Sequence, residues 1–326
     1  MNKDWAEDMR QRNYNIDVLK GLAILSVILL HTLPWSIRFR VGAPYHIWQA
    51  VPLFMVLVGY NFAKSAQVKG RERLGQLYQG KLIWRRLVKI IQPFVLVMLV
   101  RLVTELVLDQ KLDLANFLTD LFLGDIDFGG YYIPIMVQSI FLNPILYWLI
   151  RQKLKQNTLL LLVLSFGLDW GLNLVGLPGG LYRILIVRYL FAIVLGMWLA
   201  LTEERVQLKW LLALAGLSLV YITGVYYFDL TTPLETYWQA QHGPAYFWTL
   251  LLVFLGLHAY HAKPNHWLGR PLIWLGQTSY PIFLSQMLYF WLMSQLTSPS
   301  NLGMSLIFNL IICVFLGKIL EKFTQT

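Results

Sequence analysis

Two residues in the first apolar stretch of the chain have the types and the spacing for chemistry inside a membrane. Lys20 and His31 are eleven positions apart in the run IDVLKGLAILSVILLHTLP. At about 100° per residue, eleven steps end within about 20° of the start, so both side chains share one helical stripe. Asp17 precedes Lys20 by three positions and points roughly the same way. The rise from Lys20 to His31 is about 16 Å, roughly half the hydrocarbon thickness of a bilayer.

This arrangement favours catalysis over anchoring. A charged side chain at the bilayer centre costs about 2–3 kcal/mol or more, so the stripe is expected to face a polar interior. Imidazole changes its protonation near neutral pH and serves as a general base. The alternative is a histidine that only makes structural hydrogen bonds. With Lys20 on the same stripe, the sequence favours a catalytic His31.

The composition identifies the elements that must position these residues. Of 326 residues, 57% are hydrophobic and 13% are charged, and the mean hydropathy is +0.55. Soluble domains carry about 25% charged residues. The long apolar runs predict an all-α, polytopic integral membrane protein that forms one domain over residues 1–326. Ten spans are predicted, over residues 16–34, 46–63, 83–108, 131–150, 158–174, 182–201, 209–228, 244–262, 271–294 and 302–320.

The basic residues indicate how the spans are oriented. On this topology 17 of the 27 Lys and Arg residues fall on one side and 4 on the other, the rest lying within spans. Such an imbalance fits the positive-inside rule, with both termini cytoplasmic and the chain in the cell membrane. The net charge of +10 therefore reflects topology and contact with anionic lipids, and nucleic acid is not an expected partner.

A basic layer is predicted near the cytoplasmic face. Its members are Lys20, Arg85, Arg86 and Lys89. Lysine and arginine are the usual partners of phosphate, so this layer suits a cytosolic ligand that carries several phosphates. The alternative is that Arg85, Arg86 and Lys89 only extend towards anionic lipid head groups. Pro93, which follows in the same span, predicts a kink.

A mixed polar layer is predicted in the outer half of the membrane, around His31. It contains Arg101, Glu105, Asp169 and Arg188. Carboxylates and cations at this depth suit the binding of an acceptor and the orientation of a base. Two structural alternatives are equally open: Arg101 and Glu105, spaced i,i+4, form an ion pair, and Asp169 only neutralises Arg188.

The other histidines carry weaker signals. His258, His261 and His266 cluster near the cytoplasmic end of the eighth span with no carboxylate close by in the sequence, which favours interface residues over a metal site. His46 and His242 lie in or beside outer loops and are expected to be solvated. No metal ligand set is predicted.

Several segments together resemble the membrane-bound acyltransferase 3 family, bacterial O-acyltransferases of surface polysaccharides. The opening NIDVLKGLA followed by His31 resembles the family's basic residue and histidine separated by ten positions. VPLFMVLVGYNF resembles its second-helix segment, and RRLVKIIQP resembles its basic run ending in proline. Residues 131–146, 188–196 and 275–284 (LGQTSYPIFL) resemble later segments, so the resemblance covers almost the whole chain.

The resemblance implies an O-acyltransferase with a donor from one side of the membrane and an acceptor on the other. Acetyl-CoA is the usual donor and enters from the cytosol, and the acceptor is a hydroxyl of an extracytoplasmic glycan or its lipid-linked precursor. The catalytic residues implied are His31, as general base or acyl carrier, Lys20, which holds the donor near the thioester, and Asp17, which positions Lys20. The CoA phosphates would bind Lys20 and the basic run Arg85, Arg86 and Lys89. No bound cofactor is expected.

The sequence departs from the family pattern at four positions, one of which is Lys89, where arginine is usual. Lys20 stands where arginine is commoner, which keeps the charge and loses the bidentate fork. Val58 stands where serine is common, and Gln286 near where many members have histidine. Two further interpretations therefore remain open: a transporter of a glycan or acyl group, and a binding or sensory module without catalysis. No internal inverted repeat supports the transporter.

Overall fold

The computed structural model describes fourteen α-helices and no strand within residues 13–108, 128–232, 241–258, 269–296 and 306–324 and a few single positions between these ranges. The helices are α1 Tyr14–Thr32, α2 Trp35–Arg40, α3 Ala50–Val68, α4 Leu74–Leu77, α5 Gly80–Val107, α6 Tyr132–Gln152, α7 Leu154–Leu174, α8 Gly179–Ile184, α9 Val187–Thr202, α10 Leu208–Tyr227, α11 Tyr246–His258, α12 Gly269–Gln277, α13 Ser279–Leu296 and α14 Leu306–Thr324. Short 3₁₀ turns cover Ala43–Tyr45, Glu203–Arg205 and Gly243–Ala245. The predicted all-α class is confirmed for this part of the chain.

A helix overlaps each of the ten predicted spans. Six helical segments are long and apolar enough to cross a membrane: Tyr14–Thr32, Leu74–Val107, Tyr132–Gln152, Leu154–Leu174, Gly179–Thr202 and Leu208–Tyr227. A shorter apolar helix covers Gly243–His258. The protein is therefore a multi-pass membrane protein. The count of ten spans and the cytoplasmic position of the termini stay predictions.

Local sequence explains where α1 begins and why it is helical. The side chain of Asn13 accepts a hydrogen bond from the Asn15 backbone N–H at 3.0 Å, which caps the first turn. Asp17 adds a negative charge to that turn, where it opposes the helix dipole. Lys20 and His31 both lie within this one continuous helix. The predicted stripe therefore has the backbone that it requires.

Burial separates central helices from peripheral ones. In the most apolar window of each span, 56% of residues are buried in α1 and 67% in the segment that ends in α9, against 17% in α7 and 28% in α10. The peripheral helices expose Leu, Val and Trp side chains, as expected of a surface in contact with lipid tails. α1, which carries the predicted catalytic pair, is therefore a central helix.

Glycines allow two helix crossings to be unusually close. In the crossing of α3 with α9, a Cβ atom on Gly59 would lie 2.0 Å from the Ile193 carbonyl oxygen, and one on Gly196 would lie 1.9 Å from that of Val56. In the crossing of α1 with α12, a Cβ on Gly276 would lie 1.7 Å from the Asp17 carbonyl oxygen. Small residues permit such backbone contact between membrane helices. These crossings fix α1 and α3 in the bundle.

We predict that Gly196→Ala destabilises the protein, because the new methyl group meets backbone and not a mobile side chain. Overpacking of this kind costs about 1–3 kcal/mol. The measurement is thermal unfolding of the purified protein in detergent. Gly216→Ala in α10 is the matched control, since nothing lies within 4 Å of its added Cβ. Equal melting temperatures for the two variants would contradict the close crossing.

Candidate active site

A cavity of about 430 Å³ lies between five helices. Its walls come from α1, α3, α5, α6 and α13. Lys20, Asn61, Ser65, Arg86 and Lys89 are among the polar residues that line it, and most of the remaining wall is apolar or aromatic. A largely apolar pocket with a few placed polar groups is typical of a small-molecule site.

One end of the cavity is cationic. Lys20 from α1 and Arg86 and Lys89 from α5 line it there. The Arg86 guanidinium lies over the Phe62 ring, 4.7 Å from its centroid. Its Nη1 atom is buried and has no hydrogen-bond partner among the residues that the structure describes. A buried guanidinium nitrogen without an acceptor is costly, which favours an anionic ligand at this point.

The structure separates the two neighbouring arginines of α5. Arg86 lines the cavity, whereas Arg85 does not and has an exposed side chain. Of the four residues predicted to bind acyl-CoA, three are thus brought to one cavity. Arg85 instead lies where contact with lipid head groups or solvent is available.

α5 continues as one helix from Gly80 to Val107 through Pro93, where the sequence predicted a kink.

An asparagine in the cavity wall was missed by the sequence analysis. Asn143 of α6 is buried, lines the cavity, and its Oδ1 atom has no hydrogen-bond partner within the described chain. The available signal was a polar amide directly before Pro144 inside an otherwise apolar span. Arg86 and Asn143 are therefore two wall residues that each keep a polar atom with no hydrogen-bond partner in the part of the chain that the structure describes.

The other end of the cavity is aromatic. Phe54, Tyr132 and Phe283 line it, with the Tyr132 and Phe283 ring centroids 5.0 Å apart. Tyr280, also in the wall, ties α13 to α5 by donating to the Ile90 carbonyl oxygen at 2.7 Å. Phe54, Tyr132 and Phe283 thus form this end of the cavity, whereas Tyr280 contacts α5 next to Lys89.

His31 lies just beyond this aromatic end. Val27 lines the cavity, and His31 follows it by one helical turn without lining the cavity itself. Its ring packs against Phe128 at 5.4 Å and Phe290 at 5.7 Å between centroids. The structure therefore brings Lys20 to the cavity and leaves His31 one turn outward. The catalytic role of His31 stays a prediction.

Asp17 lies at the crossing of α1 with α12 and not in the cavity wall. Its side chain is buried, and Gln277 Nε2 donates to Asp17 Oδ2 at 3.4 Å. The Asp17 backbone oxygen is the atom that faces Gly276 at the close crossing. Asp17 thus lies one turn before Lys20, where α1 packs closely against α12. Its predicted role in positioning Lys20 stays a prediction.

Arg101 and Glu105 form the ion pair that their spacing suggested. Arg101 Nε lies 2.8 Å from Glu105 Oε1, and both side chains are 13% exposed. The Arg101 guanidinium also lies over the ring of Trp291, 5.0 Å from its centroid. Trp291 follows Phe290, the residue that packs on His31. The pair is therefore held close to the α13 segment beside His31, while an acceptor-binding role stays a prediction.

Asp169 belongs to a buried network that sequence analysis did not anticipate. Its Oδ1 accepts a hydrogen bond from the Tyr182 hydroxyl and its Oδ2 lies beside His242 Nδ1, both at 2.6 Å. His242 was expected to be solvated, and this was wrong: its side chain is completely buried. A buried carboxylate requires such partners, and the imidazole supplies one from a distant segment.

Arg188 is buried beside this network. Its Nη2 donates to Gln241 Oε1, an atom that also accepts the Tyr189 hydroxyl at 2.8 Å. Tyr246 donates to the Arg188 carbonyl oxygen at 2.9 Å. Residue 241 directly precedes the histidine that meets Asp169, so the two predicted members of the outer polar layer are held by adjacent residues. Neither Asp169 nor Arg188 lines the cavity.

One of the histidines considered for a metal site, His258, lies near the carboxylate of Glu203. The Glu203 carboxylate accepts the Tyr60 hydroxyl at 2.9 Å and pairs with Lys64 Nζ at 2.7 Å. His258 Nε2 lies 3.6 Å from Glu203 Oε1, so the fold brings a carboxylate from a distant segment close to one of these histidines. His261 lies outside the described residues. Among those described, no group of three or more His, Cys, Asp or Glu residues could hold a metal ion.

Comparison with known families identifies the class. A family model described as an acyltransferase domain matches residues 13–320, nearly the whole chain. The chain belongs to this acyltransferase 3 family, as the sequence motifs suggested, and it is a membrane acyltransferase. No curated protein and no solved structure gives a significant match.

We predict that Asp169→Leu strongly destabilises the fold. The change leaves the Tyr182 hydroxyl and the His242 imidazole buried without their acceptor, at about 1–3 kcal/mol each. The free energy of unfolding, measured in detergent, is expected to fall by several times the effect of the control. The control is Glu72→Leu, which removes an exposed carboxylate that pairs with Arg151 and is expected to change stability by about 1 kcal/mol or less. Similar losses for both variants would contradict the network's role.

Proposed function

We propose that this membrane acyltransferase is an O-acetyltransferase that uses cytosolic acetyl-CoA and acetylates a hydroxyl of an extracytoplasmic polysaccharide or its lipid-linked precursor. The observation that carries the proposal is the cavity in which Lys20, Arg86 and Lys89 meet an apolar wall. Three cations at one end suit the phosphates of CoA, and the apolar remainder suits its pantetheine arm. Family membership supports the acyl-transfer chemistry.

The volume and shape of the cavity support a donor that enters acyl end first. About 430 Å³ falls within the range of about 300–1,000 Å³ typical of small-molecule pockets. From Lys20 to Val27 the wall extends seven residues along α1, a rise of about 10 Å. A donor bound by its phosphates at the cationic end would thus carry its thioester towards the aromatic end, one helical turn from His31.

In the proposed reaction His31 acts as the general base. Its imidazole takes the proton of the acceptor hydroxyl, whose oxygen attacks the thioester carbonyl carbon. A new C–O bond forms, the C–S bond breaks, and CoA leaves as a thiol after receiving the proton from the imidazolium. Lys20 and Arg86 hold the donor throughout. The Arg101–Glu105 pair lies beside the reacting groups, because Arg101 packs on Trp291, the residue that follows Phe290.

We predict that Arg86→Met weakens donor binding. Loss of a charge-assisted hydrogen bond to phosphate costs about 1.5–3 kcal/mol, which raises the Kd for CoA by roughly 10–100-fold. Arg85→Met is the matched control, because the neighbouring arginine is exposed and does not line the cavity. Calorimetric titration of the purified variants with CoA measures both. Equal weakening by the two changes would indicate a general effect of surface charge and would contradict the proposed donor site.

We predict that His31→Ala abolishes transfer while leaving the donor site intact. Loss of a general base lowers the rate by about 10²–10⁴-fold. The Kd for CoA is expected to stay close to that of the wild type, since His31 does not line the cavity. Mass spectrometry of cell-surface glycans from deletion cells that express each form measures the acetyl groups. Wild-type acetylation by a folded His31→Ala protein would refute the proposed mechanism.

A further inference from the structure

Gln286 in α13 is a buried amide with no hydrogen-bond partner among the described residues. Its side chain is completely buried, and neither Nε2 nor Oε1 has a hydrogen-bond partner within the described residues. An unpaired amide in the interior destabilises a fold, and native proteins keep few of them. A side chain that leaves both of its polar atoms unpaired calls for a ligand or a functional reason.

Gln286 lies on α13 between residues that line the cavity and the residue that packs on His31. Ser279 and Phe283 of the same helix line the cavity, and Phe290 packs on the His31 ring. At 100° per residue Gln286 lies within about 20° of Ser279 and about 40° of Phe290. Along the helix its Cα is about 4–5 Å outward of Phe283 and about 6 Å inward of Phe290. The amide is thus at the level between the aromatic end of the cavity and His31.

Another buried glutamine shows that the fold satisfies structural amides. Gln49 is 1% exposed, and its Nε2 donates to the Pro44 carbonyl oxygen at 2.7 Å. Its Oε1 accepts the Thr249 hydroxyl at 2.6 Å. Gln49 therefore holds two segments together with both polar atoms. Gln286 has equal burial and no such partners, so structural bonding does not account for it.

We propose that Gln286 Nε2 donates a hydrogen bond to the carbonyl oxygen of the acyl donor and to the oxyanion that develops there. This assignment rests on the proposed function. As the acceptor oxygen attacks the thioester carbonyl carbon, the carbonyl oxygen gains negative charge, and a hydrogen-bond donor already in place stabilises it until the carbonyl re-forms and the C–S bond breaks. The amide is at the level where a thioester extended from the cavity would meet a hydroxyl activated by His31.

Phe283 lies in the cavity wall, just inward of Gln286 on the same helix. Its ring packs on Tyr132 and lies 3.0 Å from where a Cβ of Gly129 would be, so it closes the cavity at this end. Gln286 lies just outward of that ring. In the proposed reaction the acyl end of the donor must pass the Phe283 ring to reach the amide.

The test compares Gln286→Met with Gln49→Met, two near-isosteric changes at equally buried amides. Each variant is expressed in cells that lack the native protein, and membrane fragments open to both sides receive radiolabelled acetyl-CoA. Label in the glycan fraction, measured over a range of acetyl-CoA concentrations, gives kcat and KM. Thermal unfolding of each purified variant in detergent gives its melting temperature.

We expect Gln286→Met to lower kcat by about 10²–10³-fold, as for loss of one oxyanion donor, with little change in KM. Its melting temperature is expected to match or exceed that of the wild type, because the unpaired amide is gone. Gln49→Met is expected to lower the melting temperature, since Pro44 and Thr249 lose their partner. This opposite response distinguishes a group that binds substrate from one that only stabilises the fold.

Two results would overturn the assignment of Gln286 while leaving the proposed function standing. One is a kcat for Gln286→Met within about threefold of the wild type. The other is a fall in melting temperature as large as that of Gln49→Met, which would mean that the amide is structural. Absence of labelling with the wild-type protein, by contrast, would overturn the proposed O-acetyltransferase function and with it this choice of ligand.

Discussion

Desolvation of polar groups is the constraint on which this structure depends. Inside a membrane each polar atom needs a hydrogen-bond partner in the protein or in a ligand, because the bilayer core contains no water that could serve as the partner. The helices satisfy the backbone in this way, and the outer networks satisfy the side chains: Asp169 binds Tyr182 and His242, and Arg188 binds Gln241. The partners that hold Asp169 and Arg188 come from the protein itself, while a role of either residue in acceptor binding stays a prediction.

Some buried polar atoms have no hydrogen-bond partner within the described residues. Several of them, such as Trp48 Nε1 and Thr158 Oγ1, lie away from the cavity. Arg86 and Asn143 each keep one such atom in the cavity wall, and Gln286 keeps two on the helix that carries Ser279 and Phe283 of the wall. In the proposed reaction a thioester donor bound at Arg86 would extend towards the level of Gln286 and His31.

Close helix crossings hold two of the helices that form the cavity wall. α1 is held against α12 where Gly276 meets the Asp17 backbone, and α3 is held against α9 through Gly59 and Gly196. α1 and α3 both provide part of the cavity wall, and because Lys20 is on α1, a displacement of α1 would change the distance from Lys20 to the α5 cations. Positioning of reacting groups contributes strongly to catalysis, so the packing of small residues away from the cavity bears directly on the site.

Composition and apolar periodicity predicted the helical membrane class and the one helix that carries Lys20 and His31, and the resemblance of several motifs predicted the family. Which side chains contact one another depended on the tertiary structure. Helical periodicity assigns a residue to a face but not to a neighbouring helix, so it could not separate Arg86 in the cavity from exposed Arg85. Nor could it place His242 against Asp169, 73 residues away, or leave the Gln286 amide without a partner. Burial and hydrogen bonding of this kind arise from contacts between distant segments, which local sequence does not encode.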